Sequence, residues 1–407
     1  MIPNLVVVRI APAVCAVFFC FVGIGATVSV IPVYVSAQLG FSSFIVGIVV
    51  AAQYLAMLLA RPAAGKTVDK NGPKVALLRG FLFFLLCGIG YLWSVKAGGT
   101  SAKLAILVGA RLLLGIAESY IVTGALAWAI RHAGSSHAGM VMAWNGNAMY
   151  GGIAVGAPLA GLLSATGGFE PVAWASLLLA CGGASIVFFL PSYDPIRGKH
   201  APFHHTLGLI MRPGLGLLLA SVGYGMILGF ANLFFQHNGW SSSFFAISSF
   251  GFAYVAARVF FGGLPDKYGG VKIAFWSLAL ESLGQALLFF GTTEYMALLG
   301  AILSGAGFSL VVPAFGVEAV RRVPPQSRGS AMAGYLAFFD LAFGAAIPLA
   351  GLLADAYAIR AVYLLGLLCA LAGLSIAIKM KPRKDIPVQV VGQTDIGDEE
   401  SCVERIS

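Results

Sequence analysis

Apolar residues fall into twelve long runs along the chain, near 10 to 37, 43 to 64, 75 to 96, 103 to 130, 139 to 165, 171 to 190, 214 to 237, 243 to 264, 272 to 292, 295 to 320, 329 to 356 and 359 to 379. Each is about 20 residues or more, the length a helix needs to cross a hydrocarbon core of about 30 Å. Short polar breaks separate them, and an even number of spans puts both termini on one side of the membrane. The first run, after Arg9, is longer than the apolar part of a signal peptide and lacks a clear small-residue cleavage site, so it reads as a span. The longest polar connection, Pro191 to Pro213, divides the runs six and six. The expected organisation is therefore a six-helix bundle over 1–190, a cytoplasmic linker over 191–213, a second six-helix bundle over 214–380 and a disordered tail over 381–407.

Composition agrees with a chain that lies mostly in lipid: 59% of the 407 residues are hydrophobic and 10% charged, against about a quarter charged in soluble domains. The formal charge of +9 does not point to nucleic acid, because the basic residues sit singly or in small groups between apolar runs. They do fix an orientation. With the N-terminus in the cytoplasm, Lys66, Lys70, Lys74, Arg131, Lys267, Lys272, Arg321 and Arg322 are all cytoplasmic, while only Lys96, Lys103 and Arg360 fall outside, as the excess of Lys and Arg on the inner side requires. Cys15, Cys20, Cys87, Cys181 and Cys369 lie inside apolar runs without C-x-x-C spacing, which argues against a disulfide framework or a metal site. His200, His204 and His205 have no acidic or Cys partner nearby in sequence, and no metal or other cofactor is expected. Nucleotide loops, zinc-protease motifs and nucleophile elbows are absent from the sequence, so catalysis is not expected.

The two halves repeat. The stretch Arg61-Pro-Ala-Ala-Gly65-Lys-Thr-Val-Asp69-Lys70-Asn-Gly72 recurs as Arg258-Val-Phe-Phe-Gly262-Gly-Leu-Pro-Asp266-Lys267-Tyr-Gly269, 197 positions later, and Pro158-Leu-Ala-Gly161-Leu-Leu recurs as Pro348-Leu-Ala-Gly351-Leu-Leu. These echoes mark a parallel duplication. Gly65, Asp69, Lys70, Gly72 and Lys74 match G-x-x-x-D-R/K-x-G-R/K-R/K, the signature after the second span of the major facilitator superfamily, which this chain resembles. Within it the chain is similar to the bacterial YhhS/YfcJ-type permeases, often described as arabinose-efflux-like. The resemblance implies an all-α fold of two pseudo-symmetric six-helix bundles, in a bacterial cytoplasmic (inner) membrane, moving a small-molecule substrate by alternating access. It also implies that Arg61, Gly65, Asp69, Lys70 and Gly72, with Arg258, Gly262, Asp266, Lys267 and Gly269, gate the conformational change. On physical grounds alone they also suit a simple turn that fixes topology.

Charges inside the spans need a reason to persist, since each costs about 2.5–3.5 kcal/mol at a helix centre on insertion scales. Arg111 and Glu118 lie two turns apart on one face of the fourth span, Glu281 is mid-span on the ninth and Asp340 on the eleventh. All four are candidates for coupling transport to protons; the alternative is a static ion pair or hydrogen bonds to neighbours such as Gln285. Glu318, nearer the cytoplasmic end, is expected to pair with Arg321 or Arg322. Arg111 with Gly115 resembles the fourth-span motif of proton-coupled exporters, and Gly152-Ile-Ala-Val-Gly156-Ala157-Pro158 resembles the antiporter motif of the fifth span, with Ala157 inserted before the proline. Candidate solute contacts are Tyr34, Asn145, Asn147, Tyr150, Tyr224, Asn232, Gln236, Tyr254 and Tyr335. The expected function is a proton-coupled antiporter, acting as a monomer, that exports a drug, a sugar or a metabolite such as a metallophore. Import of a sugar or organic acid by a symporter or uniporter is the alternative.

Overall fold

The computed structural model describes residues 3–134, 137–193, 203–323 and 328–380. It is helical throughout that range: α1 (Pro3–Val33, continued by a π-helical turn, Tyr34–Gln38), α2 (Ser43–Asn71), α3 (Pro73–Lys96), α4 (Thr100–Ala133), α5 (Ala138–Gly167), α6 (Phe169–Phe188), α7 (Phe203–His237), α8 (Ser243–Phe261), the short α9 (Leu264–Tyr268), α10 (Gly270–Phe290), α11 (Glu294–Arg321), α12 (Arg328–Ala356) and α13 (Ala361–Lys379). Twelve of these are long and apolar enough to span a membrane. Large side chains such as Leu59, Leu162, Phe189 and Phe260 point outward and stay exposed, as a lipid-facing surface allows.

In hydrocarbon each backbone N–H and C=O must be satisfied within its own segment, which is why these runs become helices. Several hydroxyls inside the spans follow the same rule by bonding back to their own helix. Thr27 Oγ1 donates to Gly23 O (2.9 Å), Ser29 Oγ to Gly25 O (2.7 Å), Ser221 Oγ to Leu217 O (2.7 Å) and Ser282 Oγ to Leu278 O (2.7 Å).

The duplication is visible in the packing. In the first half α1 packs on α5 and α6, α2 on α4, and α3 on α4 and α6; in the second, α7 packs on α12 and α13, α8 on α11, and α10 on α11 and α13. The halves meet where α2 packs on α12, α5 on α8 and α1 on α7. Glycines permit the closest approaches: a Cβ at Gly47 would lie 2.8 Å from Ile347 O, one at Gly161 2.8 Å from the Phe244 ring, and one at Gly251 2.7 Å from the Ala154 Cβ.

Two boundaries differ from the sequence expectation. α2 continues to Asn71, so Gly65, Asp69 and Lys70 lie on its last turns and not in a loop. Gly65 has no positive φ, and nothing lies within 4 Å of where its Cβ would be; helix propagation needs only one further hydrogen bond per residue, and no glycine-specific turn interrupts it. The turn is made by Gly72 alone (φ 87°), and its repeat Gly269 does the same (φ 90°), a conformation in which a Cβ is strained. Likewise α7 begins at Phe203, inside the stretch expected to be linker. Residues 194–202, the tail 381–407 and the side chains of His204, His205 and Asp266 lie outside the described residues. The start of the connection is anchored: Trp128 Nε1 donates to Pro191 O (2.9 Å), and Tyr193 OH is hydrogen-bonded to His132.

Candidate functional site

Lys66, Lys70, Lys74, Lys267, Lys272, Arg321 and Arg322 gather at one end of the bundle, here termed the basic face. Among the described residues, contacts between the halves are found from mid-span to the opposite face. There Asp355, near the end of α12, accepts hydrogen bonds from Ser43 N and Phe44 N (2.8 Å each) at the start of α2, where an acidic group complements the helix dipole. Asn232 Nδ2 on α7 donates to Ser29 O on α1. Of these contacts the one nearest the basic face is ionic. Arg61 of α2 grips Asp340 of α12 with two nitrogens, Nε to Oδ2 and Nη2 to Oδ1 (3.0 Å). Asp340 is fully buried, and the Arg61 side chain keeps 23% of its surface exposed.

At mid-span an aromatic cluster fills the junction of the halves. Tyr150 of α5 stacks on Tyr254 of α8 with ring centroids 3.5 Å apart; Tyr224 of α7 stacks on Phe250 (4.7 Å) and meets Phe308 (5.3 Å) and Phe343 (5.1 Å); Tyr54 of α2 meets Phe343 (4.5 Å). Between them a cavity of about 10 Å³ is lined by residues that include Tyr54, Glu118, Tyr150, Tyr224 and Phe339, roughly the room for one water molecule. The rings leave no room there for a group larger than water. Glu118 supplies the carboxylate of the cavity wall, and Gln53 Nε2 donates to its Oε2 (2.6 Å).

Of the four candidate charges, Arg111 and Asp340 both lie within electrostatic reach of Glu118, whereas Glu281 stands apart. Arg111 is fully buried between α4 and α1, with Nη1 3.4 Å from Thr27 Oγ1 and with Nε and Nη2 unpartnered. No salt bridge joins it to Glu118, because the two hydrogen-bond to different helices. Asp340, expected to lack a basic neighbour on its own helix, takes one from α2. Glu281 sits inside the second bundle, against Gly223 of α7 and Gly307 of α11, with neither carboxyl oxygen hydrogen-bonded. Gln285, one turn away, donates instead to Gly223 O and Ser304 Oγ (3.2 Å each). Glu318 does pair with Arg322 (3.5 Å).

Of the candidate solute contacts, Tyr150, Tyr224 and Tyr254 come together in the central cluster. Tyr335 donates to Val312 O (2.8 Å). Asn145 contacts Met149 Sδ (3.5 Å), and Asn147 leaves its Oδ1 unpartnered. Tyr34 stacks on Phe169 (4.9 Å), away from the cavity, and Gln236 is exposed at the end of α7. Gln53 and Tyr54 were not among the expected site residues, although two polar groups in the middle of an apolar run carry the same signal as Glu118.

A groove of about 460 Å³ on the outer surface, lined by Leu163, Pro171, Trp174 and Leu178 among others, is wider than the central cavity. Its walls are apolar apart from Glu170, and it is remote from the paired charges.

Two repeated six-helix sets around a closed central route, with buried charges at their junction, define a secondary membrane transporter. The Major Facilitator Superfamily profile matches residues 13–242 and, separately, 213–394. An MFS-type transporter of Salmonella typhimurium is 39% identical, covering 89% of this chain and 93% of its own length. The MFS-type transporter YhhS of Escherichia coli is 37% identical, covering 93% and 94%. The nucleoside transporter NupG has the same fold, with a TM-score of 0.74 at 13% identity over 91% of this chain and 99% of its own. The chain belongs to the major facilitator superfamily and is a multi-pass membrane transporter.

Proposed function

We propose that the protein is a proton-driven antiporter of the bacterial cytoplasmic membrane, with its basic face in the cytoplasm, that exports a small organic molecule by rocking residues 3–190 against 214–380. The observation that carries this reading is the Arg61–Asp340 pair. A bidentate arginine–carboxylate contact is strong and geometrically specific, and this one joins α2 to α12 across the moving boundary. A proton arriving at Asp340 cancels the charge that Arg61 needs. Arg61, already in part solvent-exposed, then turns to water, and α2 and α12 separate on the basic side. Loss of the proton restores the pair and closes that side again. Glu118 holds a second exchangeable charge in the cavity wall, where an entering solute meets it. Asp69 and Lys70, on the last turn of α2, transmit the movement to the Gly72 turn. The differential interaction of the two states with a proton is what such coupling requires.

Import by a symporter or uniporter has one feature in its favour. The fifth-span stripe departs from the antiporter pattern at Ala157, and Gly152 and Gly156 face α1 within their own half instead of the junction.

The test is proton movement in proteoliposomes under an imposed pH gradient, with drugs, sugars, organic acids and metal chelators added in turn. Antiport gives solute-dependent collapse of the gradient, with solute moving against protons. Solute moving with protons, or no coupling for any transported solute, sinks the proposal.

A further inference from the structure

The duplication creates two equivalent positions at the junction and fills them differently. The register that aligns 61–72 with 258–269 places Arg61 on Arg258, and the register that aligns Pro158-Leu-Ala-Gly161 with Pro348-Leu-Ala-Gly351 places Tyr150 on Asp340. The α2–α12 contact between Arg61 and Asp340 therefore has a counterpart in the α5–α8 contact, where Arg258 faces a phenol instead of an acid. Arg258 is half-buried. Its Nη2 donates to Tyr254 OH, its guanidinium lies 5.2 Å from the centroid of that ring, and its Nε is buried without a partner. Among the described residues it makes no ion pair. It stands within electrostatic reach of Tyr150 and Tyr335, and Tyr150 stacks directly on Tyr254.

An arginine whose repeat partner is neutralised, and which is itself left with phenols, is a permanent positive charge at the edge of an aromatic cluster. From this we infer that the transported solute is an organic anion with a flat apolar body: its carboxylate, sulfonate or phosphonate binds Arg258, and its body replaces ring contacts among Tyr150, Tyr254, Tyr224 and Phe308. The guanidinium fork matches such acids bidentately, and the rings supply stacking surface. Arg61 is excluded as the anchor because Asp340 already occupies its fork. The inference rests on the transporter reading above and names its substrate class.

The experiment is thermal unfolding of the purified full-length protein in detergent, without any gradient, with 2-naphthoate, its neutral amide and the matching naphthylmethylammonium each at millimolar concentration. The carboxylate is expected to raise the unfolding midpoint by several degrees, with little response to the amide or the cation. Arg258→Gln should weaken the carboxylate response at least about tenfold in ligand concentration, and Arg258→Lys should keep part of it. Tyr150→Asp is the decisive companion, because it installs the acid found in the other repeat. It should neutralise Arg258 and abolish the response, whereas Tyr150→Asn, which removes the same ring without adding a charge, should keep a measurable carboxylate response, so that the pair separates the charge from the loss of the ring. Equal stabilisation by amide and carboxylate, no stabilisation by the carboxylate, or a wild-type response in Tyr150→Asp overturns the inference. Binding here needs no proton flux, so a protein that binds the anion but shows no coupling refutes the antiporter reading alone.

Discussion

Asp340→Asn removes one charge from the Arg61–Asp340 pair and leaves a side chain of the same shape. Breaking a buried ion pair from one side costs about 3–5 kcal/mol, because the surviving charge stays behind uncompensated. Asp340 is fully buried, but Arg61 keeps 23% of its surface exposed, so water screens part of that cost, and exposed pairs are worth about 1 kcal/mol or less. An intermediate value of about 2–3 kcal/mol is expected. At about 2–4 °C per kcal/mol for a body the size of one six-helix half, the unfolding midpoint in detergent should fall by about 4–12 °C. Arg61→Gln should do the same by leaving Asp340 unpaired. The double variant Arg61→Gln/Asp340→Asn tests the reasoning most sharply: with both charges gone and two amides facing each other, most of the loss should be recovered, and two single losses of about 2–3 kcal/mol against a double loss of about 1 kcal/mol or less give a coupling of about 3–5 kcal/mol in the cycle. A double variant that melts at the sum of the two single losses refutes a direct charge contact between α2 and α12. In proteoliposomes all three variants should lose proton-coupled flux, including the stable double variant, because none retains the acid–base pair.

Glu118→Gln removes the cavity's carboxylate but keeps a hydrogen-bonding side chain beside Gln53; exchanging a charge-assisted bond of about 1.5–3 kcal/mol for a neutral one of about 0.5–1.5 kcal/mol should lower the melting point by only a few degrees, while coupled flux should fall about tenfold or more, and wild-type flux would remove Glu118 from the coupling scheme. Within the motif at the end of α2, the two glycines should behave oppositely. Gly72→Ala forces a Cβ into a φ of 87° and to 2.6 Å from Tyr193 O, costing about 1–2 kcal/mol, whereas Gly65→Ala enters open space in a helix and should be neutral or stabilising by up to about 1 kcal/mol; equal melting shifts in the two would contradict these conformations. Glu281→Gln, lying within the second bundle and away from the cavity, should leave solute-driven proton flux within about a factor of two by the same proteoliposome assay, and its loss would bring Glu281 back into the proton path.

Depth along a span was legible in the sequence, but rotation about its axis was not. Glu281 and Asp340 were both placed mid-span, and both are buried, yet Asp340 faces α2 across the junction while Glu281 faces α7 and α11 within its own bundle. In water a polar face would have revealed the difference. In lipid the outward face is as apolar as the packed one, so the hydrophobic pattern has little amplitude at the helical period and cannot orient a helix. Span count and the repeat needed only length and identity, and those held. Arg61 and Asp340 were each singled out for separate reasons, one for gating and one for protons; their contact spans 279 positions and no local pattern encodes it. No candidate solute contact was placed on the second span, yet α2 packs against α12 and brings Tyr54 to the cavity wall and Gln53 to the Glu118 carboxylate. Aligning the two proline motifs sets Tyr150 against Asp340, and aligning the two arginine motifs sets Arg258 against Arg61, so the sequence already held a charge pair in one junction and its uncompensated copy in the other. Duplication builds a symmetric scaffold, and divergence at those two positions leaves an arginine–carboxylate pair at one junction and an arginine facing phenols at the other.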